Sequence, residues 1–370
     1  MISGTSRDGV DAALVSFNDS QTEVLEAICV PYPPELAKSL HHQILTGRRL
    51  EQDVMEELDE QLADHFSDSV LQLLDKAGVS GQEVTAIGSH GQTVWHEPDG
   101  LQPESIQLGD PHRIAQRTGI VTVGDFRRAD IEAGGQGAPL APLLHQALFR
   151  PATGTRVVLN LGGIANISVI DEKGNVSGFD TGPANCLLDA WIQFHRDKPF
   201  DQDGDWAAGG LVVPGLLKGM LADPYFQKPA PKSTGVEYFN LSWLEQFDLK
   251  TDLDSRDVQA TLAELTAITV ADSIRLHQPN DILVCGGGVH NSNLLDRLRA
   301  LLPGTLVCST ADLGLDPDSI EAILFAWLAR ERLAERPLDT RSITGAQMPV
   351  LLGTINRRSE FIRDSEDSTT

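Results

Sequence analysis

The stretch Asp281-Ile-Leu-Val-Cys-Gly-Gly-Gly288 places three consecutive glycines directly after a short apolar run. The apolar run predicts a buried strand, and each glycine after it costs about 0.5–1 kcal/mol of backbone entropy relative to alanine. Close approach of a flat ligand such as adenosine to bare backbone would justify that cost. Tight packing between the strand and the next helix is the alternative, so both interpretations stay open.

Other apolar runs in the chain also lead into polar turns that contain glycine. They lie at residues 84–88, 118–124 and 157–161. Between them, apolar residues recur at helical spacing, as in the long amphipathic segment that ends at Gly78. Alternation of strands and helices predicts an α/β fold, in which ligands bind beyond the carboxyl ends of the strands. We therefore expect the glycine-rich turns to share one site.

The length of 370 residues indicates at least two domains, since one domain commonly holds about 100–200 residues. The segment Pro151-Ala-Thr-Gly-Thr155 has the composition of an interdomain connection. We therefore expect an N-terminal domain over residues 1–150 and a C-terminal domain over 151–345, which face each other across a cleft. Residues 346–370 are predicted to be a closing segment and a loose, charged tail.

Composition excludes several classes of protein. Lys and Arg number 29 against 53 Asp and Glu, and the net charge of −24 disfavours binding to nucleic acid or to an anionic membrane. The four cysteines form no CxxC pair, which is typical of the reducing cytoplasm, and no apolar run has the length of a membrane span. The histidines show no metal-ligand spacing, so no protein-bound metal is predicted. Neither the phosphate-loop pattern GxxxxGK[ST] nor the dinucleotide-binding pattern GxGxxG occurs, which disfavours a phosphate-loop ATPase and a dinucleotide-dependent oxidoreductase.

Two segments have the chemistry of a phosphate site. The first, Gly4-Thr-Ser-Arg-Asp-Gly-Val-Asp11, offers hydroxyls and backbone N–H groups, and Asp8 or Asp11 would hold Mg²⁺ through water. The second, Asn160-Leu-Gly-Gly163, places an amide beside two glycines at the end of a predicted strand. Either segment is equally consistent with a turn that binds nothing, so their spacing alone leaves both interpretations open.

Asp180 lies within Gly178-Phe-Asp-Thr-Gly-Pro-Ala-Asn185, where glycine and proline predict an abrupt turn. Such a turn would point the carboxylate into a cleft, where it could take a proton from an attacking oxygen. An Asx-turn, in which Asp180 bonds its own backbone, is an equally good interpretation.

Amide, hydroxyl and guanidinium groups beside glycines are typical of sugar and carboxylate sites. Gln92 and Thr93 follow one predicted strand, and Arg127 or Arg128, after another, would form a fork around a substrate carboxylate. The turn Lys232-Ser-Thr-Gly235 has similar chemistry, but we predict a solvated loop there.

Taken in order, nine motifs between about residues 3 and 353 resemble those of the 1,6-anhydro-N-acetylmuramic acid kinase family. They are Gly4-Thr-Ser-x-Asp-Gly-Val-Asp11, Ser89-His-Gly-Gln-Thr93, Gly124-Asp-Phe-Arg-Arg128, Gly134-Gly-Gln-Gly-Ala-Pro139, Asn160-Leu-Gly-Gly163, Phe179-Asp-Thr-Gly-Pro183, Lys232-Ser-Thr-Gly235, Asp257-Val-Gln-Ala-Thr261 and Cys285-Gly-Gly-Gly288. So many motifs in the same order make the resemblance specific. Only Met1 and Ile2 precede Ser3, where the family has an apolar first strand, so either the start has been assigned too late or the first strand is shortened.

The resemblance implies the fold shared by actin, hexokinase and the heat-shock chaperone ATPases, in which two ribonuclease H-like domains close over a nucleotide. It also implies the reaction. ATP phosphorylates the 6-oxygen of 1,6-anhydro-N-acetylmuramic acid while water opens the anhydro bridge, which gives N-acetylmuramic acid 6-phosphate during peptidoglycan recycling. A homodimer in the cytoplasm is implied as well.

The resemblance also assigns residues to roles. Asp180 is implied as the base that deprotonates the water. The implied nucleotide site consists of Gly4, Thr5, Ser6, Arg7, Asp8, Gly9, Val10, Asp11, Asn160, Gly162, Gly163, Gly286, Gly287 and Gly288, with adenosine near the last three. The implied sugar side consists of Gln92, Thr93, Arg127, Arg128 and Glu321. Mg²⁺ is implied as a companion of ATP, with Asp8 as its contact.

The sequence departs from the family pattern at Ala129, Ala184 and Val236, where the family usually has Arg, Gly and Arg. Loss of two positive groups would weaken the grip on a carboxylate or phosphate without changing the reaction. Two other functions are compatible with the same fold: a kinase of an ordinary hexose or amino sugar, and an ATP-gated binding module. The polar groups at residues 92–136 disfavour the binding module, which needs no sugar acceptor.

Overall fold

The computed structural model describes residues 1–4, 9–18, 22–45, 49–98, 100–247, 249 and 253–358. The strands are β1 (Gly9–Phe17), β2 (Thr22–Pro31), β3 (Ile87–Gly88), β4 (Gln92–Glu97), β5 (Glu104–Leu108), β6 (Thr122–Gly124), β7 (Thr155–Leu161), β8 (Ile164–Asp171), β9 (Val176–Pro183), β10 (Asp281–Cys285), β11 (Leu306–Ser309) and β12 (Thr354–Asn356). The helices are α1 (Pro34–Leu45), α2 (Gln52–Ala77), α3 (Pro111–Thr118), α4 (Arg128–Glu132), α5 (Ala141–Phe149), α6 (Asn185–Arg196), α7 (Asp205–Ala208), α8 (Pro214–Leu221), α9 (Pro224–Gln227), α10 (Leu241–Leu244), α11 (Ser255–Arg275), α12 (Ser292–Leu301) and α13 (Ile320–Leu333).

The C-terminal half is built on a five-stranded sheet with the order β11-β10-β7-β8-β9. Strands β7, β8 and β9 form an antiparallel meander, and β10 and β11 run parallel to β7. This is the strand order of a ribonuclease H-like domain, and it confirms the predicted α/β class. Helix α11 packs Ala267, Val270 and Ile274 against Val157 and Leu159 of β7, which fixes the sheet beneath the site.

The N-terminal half places residues 1–3 between two pieces of sheet. Ile2 exchanges backbone hydrogen bonds of 3.0 and 2.9 Å with Asp11 of β1, while the N–H of His90, just after β3, donates to the carbonyl of Met1. Strand β1 also pairs with β2, and β3 pairs with β6. The resulting order, β2-β1-residues 1–3-β3-β6, repeats that of the C-terminal sheet. Residues 1–3 therefore take the position of a shortened first strand.

Several elements match the sequence-based prediction, and two strands are shorter than predicted. Helix α2 ends at Gly78, which adopts the left-handed conformation (φ 66°), and β10 has the predicted bounds. Residues 84–88 contribute only β3, and residues 118–124 contribute only β6. Strand β6 begins later than predicted because helix α3, which Asp110 caps at its start, continues as far as Thr118.

The chain returns to the N-terminal sheet after residue 319. Helix α13 packs Ile323, Leu324 and Leu328 into the same core as Val123 and Phe126, and β12 pairs with β6. The predicted domain boundaries near residues 150 and 345 stay predictions. Within the described ranges, no helix is both long and apolar enough to cross a bilayer.

Candidate functional site

One row of residues crosses four strands of the C-terminal sheet. Cys285 pairs with Asn160, Asn160 pairs with Asn166, and Asn166 pairs with Asp180. Because residues opposite each other on neighbouring strands share a face, these side chains lie on one side of the sheet. The Sγ of Cys285 lies 4.0 Å from Oδ1 of Asn160, which agrees with that placement. The sheet register thus brings Asn160 and Asp180, both predicted site residues, to one edge of the cleft.

Asp180 is held by hydrogen bonds from outside the sheet. Its N–H donates to the carbonyl of Lys232 (3.0 Å), its carbonyl accepts from the hydroxyl of Tyr225 (2.7 Å), and its Oδ2 accepts from the N–H of Thr234 (3.0 Å). In the described part of the chain, Oδ1 has no hydrogen-bond partner. Burial raises the pKa of Asp180 to about 7, the N–H of Thr234 lowers it, and the charge of Glu237 raises it.

The Asp180 contacts correct one prediction from the sequence. The turn from Lys232 to Gly235 is not only a solvated loop, because its backbone bonds both the main chain and the carboxylate of Asp180. The Asx-turn interpretation of Asp180 also fails, since the carboxylate accepts from Thr234, which is 54 residues away.

The two interpretations of the triple glycine apply to different glycines. A Cβ on Gly286 would lie 2.3 Å from Oδ1 of Asn160, and one on Gly288 would lie 2.5 Å from the Cβ of Leu161. These two glycines are therefore required by packing against β7. A Cβ on Gly287 would meet no described atom within 4 Å, and Gly287 instead lines a cavity of about 440 Å³. The open space at Gly287 is where a flat ligand can approach bare backbone.

The cavity beside Gly287 is formed by the start of α6, the segment before α7 and the turn after β10. Its walls include Leu188, Asp189, Phe200, His290 and Asn291. Apolar and hydrogen-bonding groups are combined there, as a nucleoside requires.

Gly162 and Gly163 turn the chain between β7 and β8. Their carbonyls accept from the N–H groups of Asn185, Ala184 and Cys186 at the start of α6. Nothing blocks the Cα of Gly162 closely, since an added Cβ would lie at least 3.5 Å from its neighbours. The turn therefore exposes backbone near Asn160, as a phosphate cradle requires.

The N-terminal motif is only partly described. Thr5, Ser6, Arg7 and Asp8 lie outside the described residues. Gly9 packs against β2, because a Cβ there would lie 2.4 Å from the carbonyl oxygen of Val30, and Val10 is fully buried. Gly4 is half-buried next to the strand formed by residues 1–3. Asp11 lies close enough to the cleft that its charge raises the pKa of Glu321.

Arg127 points into the cleft and is braced by His90. Its Nε donates to Nε2 of His90 (3.0 Å), and its Nη1 donates to the carbonyl of Gly137 (3.0 Å). The Nδ1 of His90 lies 3.0 Å from the carbonyl of Gly91 and must carry the proton, so Nε2 is free to accept. Burial lowers the pKa of Arg127 to about 10, and it stays charged at neutral pH. Within the described residues, Nη2 has no partner and is left for a ligand.

Arg128 and the residues of β4 do not join Arg127. Arg128 is exposed and pairs with Asp125 (2.6 Å). It borders a second cavity, of about 510 Å³, which is not the one beside Gly287. Gln92 is buried, accepts from the hydroxyl of Ser3 (2.7 Å), and donates to the carbonyl of Thr93 (3.1 Å). The hydroxyl of Thr93 accepts from Gln107. Gln92 therefore holds residues 1–3 in place, and its contact with the sugar stays a prediction.

Glu321 stands in the first turn of α13, where both halves of the molecule meet. Its Oε1 lies 3.4 Å from Nδ2 of Asn160. Solvent reaches the side chain of Glu321, but atoms of both halves surround its carboxylate. This enclosure and the negative charge of Asp11 raise the pKa of Glu321. Oxygen donors of this kind suit Mg²⁺, which binds through one or two carboxylates and keeps its remaining ligands as water or phosphate. No group of three or more ionisable metal ligands occurs among the residues that the structure describes.

Comparisons with known proteins agree on one family. The family model described as anhydro-N-acetylmuramic acid kinase matches residues 1–358. Proteins with that name from two strains of Xanthomonas campestris pv. campestris, 8004 and ATCC 33913, are each 51% identical over 363 residues, which covers 96% of both chains.

Two solved structures are distant matches. The activator of 2-hydroxyisocaproyl-CoA dehydratase from Clostridium difficile is 10% identical, with a TM-score of 0.43 over 88% of this chain and 96% of that one. A ROK family glucokinase from Streptomyces griseus is 16% identical, with a TM-score of 0.38 over 87% of this chain and 100% of that one.

Proposed function

The chain belongs to the anhydro-N-acetylmuramic acid kinase family, and we propose that Asp180 is the base with which it opens 1,6-anhydro-N-acetylmuramic acid. In this reaction a water oxygen bonds to the anomeric carbon and the bond from that carbon to the 6-oxygen breaks. The 6-oxygen takes the γ-phosphoryl group of ATP, and ADP leaves. The products are ADP and N-acetylmuramic acid 6-phosphate, an intermediate of cell-wall recycling.

The observation that carries the proposal is the state of the Asp180 carboxylate. One of its oxygens is fixed by Thr234, and Oδ1 has no partner in the described chain, so Oδ1 is available to a water molecule. A pKa of about 7 makes the ionised form a usable base near neutrality and a stronger base than an ordinary aspartate. The water proton passes to Oδ1 as the new bond to carbon forms.

The nucleotide is proposed to lie along the row at the end of the C-terminal sheet. Gly287 leaves room for the adenosine, and the backbone of Gly162 and Gly163 faces the phosphates, with Asn160 beside them. Mg²⁺ supplies charge neutralisation to the transferring group when it is bound, and Asp11 and Glu321 are the described carboxylates that would hold its water shell. Gly4 is proposed to contact the nucleotide, and the same role stays a prediction for residues 5–8, which lie outside the described chain.

The sugar side is proposed to be centred on Arg127. Its unpaired Nη2 carries a fixed positive charge that can bind the lactyl carboxylate or the departing 6-oxygen. Arg128 is proposed for an outer contact only, because it is exposed and already paired with Asp125. We also propose that the protein works in the cytoplasm as a homodimer.

The route of the solvent oxygen tests this function. The purified protein is incubated with ATP and the anhydro sugar in heavy-oxygen water, and the product is analysed early by mass spectrometry. We expect one solvent oxygen at the anomeric carbon. This label should exceed the amount that unlabelled product takes up by exchange when it is incubated alone in the same water. A kinase of an ordinary hexose or amino sugar would instead phosphorylate a free hydroxyl and leave the sugar oxygens unlabelled. Phosphorylation of glucose or N-acetylmuramic acid at a comparable rate would overturn the proposal.

A further inference from the structure

Asp180 lies on the edge strand of the C-terminal sheet, so in the described chain its backbone has no neighbouring strand on one side. Among the described strands β9 pairs with β8 only, and the register shifts between Ala165 and Asn166 of β8, directly beside Asp180. Bulges of this kind redirect side chains, and unpaired edge groups otherwise bond to water. The position of the Asp180 carboxylate therefore depends on the segment that hydrogen-bonds to the open edge of β9.

The segment that binds the edge runs from Tyr225 to Thr234. The hydroxyl of Tyr225 donates to the carbonyl of Asp180 at 2.7 Å, and the carbonyl of Lys232 accepts from the N–H of Asp180 at 3.0 Å. The N–H of Thr234 then donates to Oδ2 at 3.0 Å. One short segment thus contacts the main chain of Asp180 on both sides and selects which carboxylate oxygen stays free.

The side chain of Lys232 ties the two ends of this segment together. Its Nζ donates to the carbonyls of Tyr225 (3.3 Å) and Phe226 (3.5 Å) and lies 4.7 Å from the centroid of the Tyr225 ring. Such a cation over an aromatic face is attractive, and more so where water is partly excluded. Lys232 is therefore engaged inside the protein.

Tyr225 is rigid enough to serve as an anchor. It is 2% exposed, and its ring packs edge-on against Phe226 and Phe239, with centroids 5.9 and 5.5 Å away. Burial and the neighbouring Asp180 carboxylate raise the pKa of its hydroxyl, which stays a donor at all working pH values.

We propose that Tyr225 and Lys232 are positioning residues that clamp Asp180 with Oδ1 directed to the substrate water. The clamp rests on the proposed role of Asp180 as the base. Their described contacts include Asp180 and each other, so their loss is expected to act on turnover and on the titration of Asp180, with little effect on binding. A small displacement of a catalytic group costs about a hundredfold in rate, and we expect a loss of about 10- to 100-fold here.

The first test is Tyr225→Phe, which removes the hydroxyl and keeps the ring. We expect kcat to fall about 10- to 100-fold while KM for both substrates changes less than about twofold. Loosening the bond from Thr234 removes an interaction that lowers the pKa of Asp180, so the acid limb of the pH profile of kcat/KM should move to higher pH. The matched control is Tyr238→Phe, whose exposed hydroxyl bonds only Asp223 among the described residues, and it should keep the parent kcat and profile.

The second test compares Lys232→Met with Lys232→Arg. Methionine loses the cation over the ring and should reproduce the Tyr225→Phe profile, whereas arginine keeps the cation and should restore part of kcat. This pair decides the question even if Tyr225→Phe does not fold. Parent kcat and an unmoved pH profile in Tyr225→Phe, or in Lys232→Met, would overturn the clamp while leaving Asp180 as the base. Full activity of Asp180→Asn would instead overturn the proposed function itself.

Discussion

The Nδ2 of Asn160 lies 3.4 Å from Oε1 of Glu321, across 161 residues of sequence. Asn160 is the second-last residue of β7 in the C-terminal sheet, and Glu321 is the second residue of α13, which packs on the N-terminal sheet. The floor of the cleft is therefore a junction of both halves, and it carries the Glu321 carboxylate, whose pKa is raised by its enclosure and by the charge of Asp11.

Replacement of Glu321 by Gln should stabilise the protein in the absence of ligands while impairing the enzyme. Because enclosure and Asp11 raise the folded-state pKa of Glu321 above its unfolded value, its contribution to stability is present at low pH and lost as the pH rises through the folded pKa. The difference in Tm between Glu321→Gln and the parent should thus grow from pH 4 to pH 8, as measured by calorimetry.

Glu331 on the same helix provides the matched control for that measurement. Its buried carboxylate pairs with Arg330 (2.6 Å) and Arg336 (3.4 Å), so Glu331→Gln should destabilise the protein by about 1–3 kcal/mol near neutral pH. A Tm difference for Glu321→Gln that stays constant or shrinks with pH would contradict the expectation.

Asp180→Asn should abolish most of the turnover without loss of the fold. The amide cannot accept the water proton, so kcat should fall by about 10²- to 10⁴-fold. The folded-state pKa of about 7 lies above the unfolded value, which means that the ionised carboxylate disfavours folding at pH 8. The variant should therefore be at least as stable as the parent there. Asp171→Asn, which alters an exposed turn carboxylate at the far end of β8, is the control and should keep its activity.

Glu237→Gln should move the pH dependence without removing activity. The charge of Glu237 raises the pKa of Asp180, so its removal lets Asp180 ionise at lower pH. The acid limb of kcat/KM should move down by less than about one unit, since an exposed charge is screened, and the shift should shrink in 1 M salt. Glu245→Gln, also exposed, should leave the profile unchanged. A shift to higher pH would contradict this electrostatic interpretation.

Alanine at Gly288 should affect stability, whereas alanine at Gly287 should affect nucleotide binding. A methyl on Gly288 meets Leu161 at 2.5 Å, and Gly288→Ala should lower the free energy of unfolding by about 1–3 kcal/mol. A methyl on Gly287 meets no atom of the described residues within 4 Å, so Gly287→Ala should keep its stability but bind ATP more weakly, because the methyl occupies the wall of the cavity. Chemical denaturation and nucleotide titration measure the two effects. Unchanged nucleotide affinity in Gly287→Ala would remove the cavity from the proposed adenosine site.

Much of the molecule follows from local sequence. Apolar periodicity predicts α2 and its end at Gly78, and a buried run predicts β10 with its own bounds. Glycine-rich turns after several strands predict a shared site, since parallel strands end at one edge of a sheet. The motifs also identify the family, because their order is a property of the chain itself.

The roles within those motifs depend on the fold. Gly286 and Gly288 serve packing, while Gly287 faces open space, although the three are identical in sequence. The motif predicts Gln92 as a sugar ligand, and the fold gives it a bond from Ser3, 89 residues away, because residues 1–3 enter the sheet beside it.

Sequence alone established the α/β class, the strand ends that carry polar turns, and the family, because each of these is encoded in short-range pattern. Only the tertiary structure decided what surrounds Asp180. Tyr225 and Thr234 are 45 and 54 residues away, and no local signal links them to it. Their contact depends on the register of an edge strand and on the path of a loop that crosses it, and both are fixed only when the whole sheet has packed.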